Sequence, residues 1–194
     1  MTSDSQISPA SDYPVSLNID YSGSGRNRLT VFFRIITLIP IILIQSGLQI
    51  LVFPVLLMIL FRQKYPRWWF DFNLELTMFS TRVGAYWMLQ TDEYPSTDEE
   101  QSIHLTLDYP DASQLNRWLP LFKWILAIPH YIVFSILLTV AFILVIVGWF
   151  SIVFTGKFPQ EIHNYLVGVN RWSLRVQAYA FLLTTDKYPP FSLD

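Results

Sequence analysis

Two stretches of this chain contain no Asp, Glu, Lys or Arg: Ile35 to Phe61 and Trp124 to Gly156. Each exceeds the roughly 18 apolar residues that mark a membrane-embedded segment. Burying both in a soluble core would take more protein than 194 residues can wrap around them. Composition agrees, with 52% hydrophobic and 14% charged residues, where a soluble domain carries roughly 25% charge. The expected class is an integral membrane protein. Its basic residues cluster beside the apolar runs, where anionic head groups would sit. The first fourteen residues, MTSDSQISPASDYP, hold acids but no base and no apolar core, so they read as a disordered tail rather than a cleaved signal peptide. There is no cysteine, which excludes disulfides, thiolate metal sites and cysteine nucleophiles.

The chain also repeats itself. VSLNIDY (Val15 to Tyr21) matches IHLTLDY (Ile103 to Tyr109), and both alternate apolar with polar residues like a half-buried strand. Each is followed by a polar turn, an arginine (Arg28, Arg117), a basic residue (Arg34, Lys123), an Ile-Pro step (Pro40, Pro129) and then the apolar run. The runs close with Lys64-Tyr65-Pro66 and Lys157-Phe158-Pro159. Finally STRVGAYWMLQTDEYP (Ser80 to Pro95) aligns with SLRVQAYAFLLTTDKYP (Ser173 to Pro189), with one inserted Thr. The organisation expected is a tail over 1–14, repeat 1 over 15–95, an acidic linker over 96–102 and repeat 2 over 103–194. Thr-Asp-x-Tyr-Pro ends each copy: Asp92 and Asp186 would cap a helix exit, and Tyr94 and Tyr188 with their prolines would turn the chain away.

FTGKFP, the Ile128-Pro129-His130 step and RWSLRVQAYAFLLTTDKYPPF resemble the bacterial DUF4389 family. The first half is similar to a diverged copy that keeps KYP and RVGAY but not FTG or IPH. The resemblance covers nearly everything after the tail. It implies a bacterial membrane protein and no reaction, hence a multi-pass place in the inner membrane.

The fold class expected is mainly α and membrane-embedded. Each repeat supplies a short strand, a long apolar segment (hairpin or single span) and an interfacial amphipathic helix, and the two strands are free to pair. A 27-residue helix rises about 40 Å against a hydrocarbon core of about 30 Å. One crossing would put Arg26, Arg28 and Arg34 on one side and Arg62, Lys64, Arg67 and Arg82 on the other, against the positive-inside bias. A hairpin keeps them together, and QSGLQ (Gln45 to Gln49) reads as its turn. Even crossings are therefore favoured, although the second run has no such turn.

Chemistry is sparse. His104, His130 and His163 lie in separate elements without metal-ligand spacing. SGSGRNR (Ser22 to Arg28) lacks the flanks of a phosphate-binding loop, and no nucleophile motif appears. Asp20 and Asp108 follow the strands, either as turn formers or as partners for the basic residues that flank the apolar runs. Arg82 and Arg175 share an Arg-Val-x-Ala-Tyr context, and Arg171 stands one turn before Arg175. On an interfacial helix they would reach head groups or a partner's carboxylate. An ion pair with Asp108, Glu161 or Asp186, or of Arg82 with Glu75, would be the structural alternative. Arg82, Arg171, Arg175, Arg34 and Lys123 are thus the candidate lipid- or partner-binding residues. The expected function is non-catalytic: a scaffold or adaptor binding a protein or anionic lipid at the cytoplasmic membrane face. A two-repeat transporter is the alternative, weakened by the absence of charge inside the runs. An enzyme is not expected for want of an acid, base or nucleophile set, and no cofactor, metal or nucleic acid is implied.

Overall fold

The computed structural model describes residues 13–48, 52–97 and 99–194. Most of the expected tail, Gln49 of the expected turn and Asp98 of the linker lie outside them.

Among the described residues the chain is mainly helical. The order is β1 (Val15–Ile19), α1 (Arg28–Phe32), α2 (Arg34–Leu48), α3 (Val52–Arg62), α4 (Arg67–Trp87), β2 (Ile103–Leu107), α5 (Pro120–Leu126), α6 (Ile128–Thr155) and α7 (Gln160–Ala180). The two alternating stretches do pair, antiparallel, with Leu17 opposite Leu105. Val15, Leu17, Ile19, Ile103 and Leu105 point inward, while Ser16, Asn18, His104 and Thr106 stay exposed. That is the one-face burial period 2 requires.

The strands are exchanged between copies. β1 packs on α7 of the second copy and β2 on α4 of the first. The strand-end tyrosines cross as well. Tyr21 donates to the carbonyl of Phe158 in the second elbow, and Tyr109 donates to that of Tyr65 in the first. The two copies therefore interlock around one core.

α4 and α7 start alike, after Pro66 and Pro159 with extended backbone (ψ 134° and 132°). Proline suits that place because the first turn needs no N–H from it. Each elbow is reached through a left-handed residue, Gln63 (φ 45°) or Gly156 (φ 72°). Each exit passes a left-handed leucine, Leu89 (φ 61°) or Leu183 (φ 57°).

α7 is enclosed on two sides. Val167, Leu174 and Ala178 meet the sheet. Ile162, Leu166, Trp172 and Val176 meet the apolar helices, about half a turn round the same helix. The molecule is thus layered, with the sheet on one side, α4 and α7 in the middle, and α2, α3, α5 and α6 on the other. The expectation of interfacial amphipathic helices is corrected for α7: it is an inner helix. Its arginines, Arg171 and Arg175, bond to neighbouring segments, and the exposed polar residues Gln160, Glu161 and Asn164 are confined to its start.

The hairpin expectation is also corrected. The second run holds one continuous helix, α6. In the first run, Arg34 lies at Tyr86 of α4, whereas Tyr65 packs on Phe70. Those α4 positions are about 24 Å apart at the helical rise. The two ends of the run are held apart, with α2 on α4 and α3 on α5, instead of meeting as the ends of a hairpin would. QSGLQ has no turn in its described part, where Gln45 to Leu48 remain helical.

Candidate membrane-facing site

Each copy builds the same buried ion pair at the start of its apolar run. In the first, Arg34 reaches Asp92 at 2.6 Å, its guanidinium lies 4.1 Å from the centre of the Tyr86 ring, and Arg26 stands 3.7 Å from the same carboxylate. In the second, Lys123 Nζ is 2.7 Å from Asp186, 5.2 Å from the Tyr179 ring centre and donates to the Thr185 carbonyl at 2.6 Å. Burial pulls the Lys123 pKa below that of a free lysine, with Asp186 opposing. Each aspartate also accepts a backbone N–H, from Asn27 at 3.0 Å or Asn116 at 2.6 Å. Those asparagines in turn accept from the N–H groups two and three residues on.

The Thr-Asp-x-Tyr-Pro endings are therefore clasps. Asp92 and Asp186 do not cap α4 and α7, as the sequence reading expected; they grip the cation that opens their own copy's run. Tyr94 and Tyr188 complete the clasp, donating to the carbonyls of Thr37 (3.5 Å) and Leu126 (3.1 Å). Only the repeat alignment hinted at this, since Arg34 and Lys123 occupy matching places and so do the aspartates. Nothing local to either segment shows that they meet.

Arg82 and Arg175 are equivalent too, and they turn inward. Arg82 donates to the Ser96 carbonyl at 2.6 Å. Arg175 donates to the carbonyls of Ser192 (2.9 Å) and Asp194 (2.6 Å). Each pins the chain that follows its Tyr-Pro. Arg171 donates to Leu17 in β1 at 2.8 Å. The alternative pairing of Arg82 with Glu75 is not formed, and Asp186 pairs with Lys123 instead of Arg175. Asp20 faces His104 across the strand ends at 3.6 Å on the surface, and Asp108 is exposed. Arg34, Arg82, Arg175 and Lys123 are buried, so four of the five candidate cations are not set against solvent or lipid; Arg171 is half-buried against β1.

What faces outward is α6. Among the described residues it is the one helix long and apolar enough to cross a membrane, and only 11% of its most apolar stretch is buried. Its inner line, His130, Ala141, Gly148 and Ile152, is buried. Gly148 is obligatory there, because a Cβ would stand 2.4 Å from the Phe158 ring. Ile132, Ile136, Ile143, Phe150 and Phe154 are exposed and fall within about 40° of one another at 100° per residue. They form one apolar stripe along the whole helix. Ser135 and Thr139 are exposed beside it, each bonded to the helix's own carbonyls. Ile35, Ile36, Ile39 and Ile42 of α2, with Leu57 and Phe61 of α3, extend the same kind of surface in the first copy.

Exposed cations stand where these helices end. Arg28 and Lys157 lie at the end of α6, and Arg62, Lys64 and Arg117 at the end of α3. An open groove of about 600 Å³ adjoins the α3 end, between Gln63–Arg67 and Tyr109–Ser113. In it Lys64 is exposed, while Arg67 lies 4.8 Å from the Tyr109 ring centre. Among the described residues no cluster of three or more His, Asp or Glu side chains could hold a metal.

Fold and site together define a two-copy helical protein whose copies share a sheet and whose apolar helices lie outermost. Its family is shown by the domain of unknown function DUF4389, which matches residues 28–97 and 117–192, more than half of the chain; the protein belongs to that family. No curated protein and no solved structure matches it. The two matched segments agree with tandem copies, and each begins just C-terminal to one of the exchanged strands.

Proposed function

We propose that this is an integral membrane protein of the inner membrane with no catalytic role. It acts as a scaffold whose apolar face enters the bilayer and whose polar layer holds anionic lipid or a protein partner. The observation that carries this is the α6 stripe: large apolar side chains, unshared with any other part of the fold, over a helix of 28 residues. Hydrocarbon exposure on that scale is unfavourable in water and costs nothing in lipid. The exposed cations at the helix ends, above all Lys64 in its groove, supply the charge that anionic head groups favour.

Reconstitution in vesicles of phosphatidylethanolamine and phosphatidylglycerol tests the reading. The protein should stay with the vesicles through an alkaline carbonate wash. Lys64→Glu should lower the phosphatidylglycerol retained on detergent extraction at least about fivefold, on the order of 1 kcal/mol for the basic residue lost at the surface. Release into the supernatant would overturn the membrane reading, and saturable solute flux would overturn the scaffold.

A further inference from the structure

The geometry points to a seating in which α6 lies flat within one leaflet and does not cross the bilayer. This rests on the proposal that the apolar face enters lipid, and it concerns how that face is oriented.

α7 runs antiparallel along α6. Tyr165 donates to Leu137, Trp172 to His130, and Phe158 covers Gly148. On the far side of α7 lies β1, tied at matching levels: Tyr13 to Arg175, Leu17 to Arg171 and Ile19 to His163. The sheet therefore sits level with the first half of α6, on the opposite side of the molecule. Its outward face is Ser16, Asn18, Asp20, His104 and Thr106, all exposed. Were α6 upright across the membrane, that polar face and the outer edge of β2, which among the described residues lacks the side-chain bonds that α7 gives β1, would stand at hydrocarbon depth. Unpaired backbone groups exposed to lipid there cost several kcal/mol each.

Laid flat, the same structure has no conflict. The apolar stripe points down into the acyl chains, and α4, α7 and the sheet rise in order toward water. The two ends of α6 fit as well. Lys123 and Asp186 stand near its start, and Lys157 with Arg28 at its close. In an upright helix these cations would fall on opposite sides of the bilayer. In a flat one they share a single side, as the positive-inside bias asks. The hairpin expected from sequence was an answer to that same charge pattern. The flat helix answers it without a turn. α2, packed on α4, and α3, packed on α5, lie the same way.

The absence of native cysteine makes the test direct. Single cysteines at Ile132, Ile136, Ile143, Phe150 and Phe154 are labelled with a fluorophore in the full chain, with Ser16→Cys on the sheet as an aqueous reference. The protein is placed in vesicles of phosphatidylethanolamine and phosphatidylglycerol carrying bromine at shallow or deep acyl positions. For the flat seating, the ratio of shallow to deep quenching is the same at all five sites, and Ser16 is quenched by aqueous iodide alone. A crossing helix would move the label about 33 Å from Ile132 to Phe154, so the ratio would invert at the middle and recover, and the proposal fails. If lipid quenches none of the five while iodide quenches all, the membrane reading itself fails. If neither quencher reaches them, a second copy covers the stripe and the leaflet seating is wrong.

Discussion

Asp186 and Lys123 form a pair whose two halves are buried unequally, and removing each should have a different cost. The Lys123 side chain is fully enclosed, whereas the Asp186 side chain keeps 26% of its exposure. Asp186→Ala strands an ammonium group with only the Thr185 carbonyl and the Tyr179 ring for company. Breaking a buried pair in this way costs about 3–5 kcal/mol. Lys123→Met leaves a carboxylate that still accepts the Asn116 N–H and can draw on water, so its cost should be on the order of 1–2 kcal/mol. The double variant removes both charges and should recover most of the Asp186→Ala penalty, a coupling of about 2 kcal/mol or more. Urea denaturation in mild detergent, followed by tryptophan fluorescence, measures all three. In thermal melts the aspartate variant should lose roughly 6–20 °C, at about 2–4 °C per kcal/mol for a chain of this size. If Lys123→Met proves the costlier change, or the double variant is no better than Asp186→Ala, the buried-cation argument is refuted.

His163 occupies in α7 the place of Phe70 in α4: each packs edge-on against a strand-end tyrosine, at 5.0 Å and 5.1 Å. Burial lowers the His163 pKa, with Arg26 adding to it against the Ile19 carbonyl and Asp20. The unfolded ring titrates near 6.5, so stability is full above that pH and declines as pH falls below it, where the unfolded chain takes up a proton first. His163→Phe should therefore narrow the gap between denaturation midpoints measured at neutral and mildly acidic pH. At the elbows, Gly156→Ala should cost about 1–2 kcal/mol, because a Cβ is disfavoured at positive φ and Arg28 crowds the site at 3.3 Å. Gln63→Gly trades relief of the same strain against loss of the 2.8 Å bond from Arg117, and its melting temperature should move by less than that of Gly156→Ala.

The repeat, the two strands and the apolar runs were all legible in the chain, because each is written in local periodicity and composition. Alternation in VSLNIDY and IHLTLDY specifies a one-sided strand whatever surrounds it. The charge-free runs likewise demand a shared apolar environment. Even the clasp was half visible, since the repeat aligns Arg34 with Lys123 and Asp92 with Asp186.

The candidate cations show where that legibility ended. An arginine on a largely apolar helix is equally consistent with a head group outside or a carbonyl inside. Only packing α7 between the sheet and α6 turned Arg175 toward Ser192 and Asp194. The exchange of strands between copies was invisible for a similar reason, as two equivalent helices offer each strand the same apolar face. Charge counting along the chain could weigh a hairpin against a crossing, but not against a helix lying flat. That choice depends on which elements stand level with α6, and levels exist only once the chain is packed. Local sequence thus determined the elements and their apolar faces. Tertiary structure decided their neighbours, because burial, pairing and depth belong to the whole assembly of elements and to no one segment.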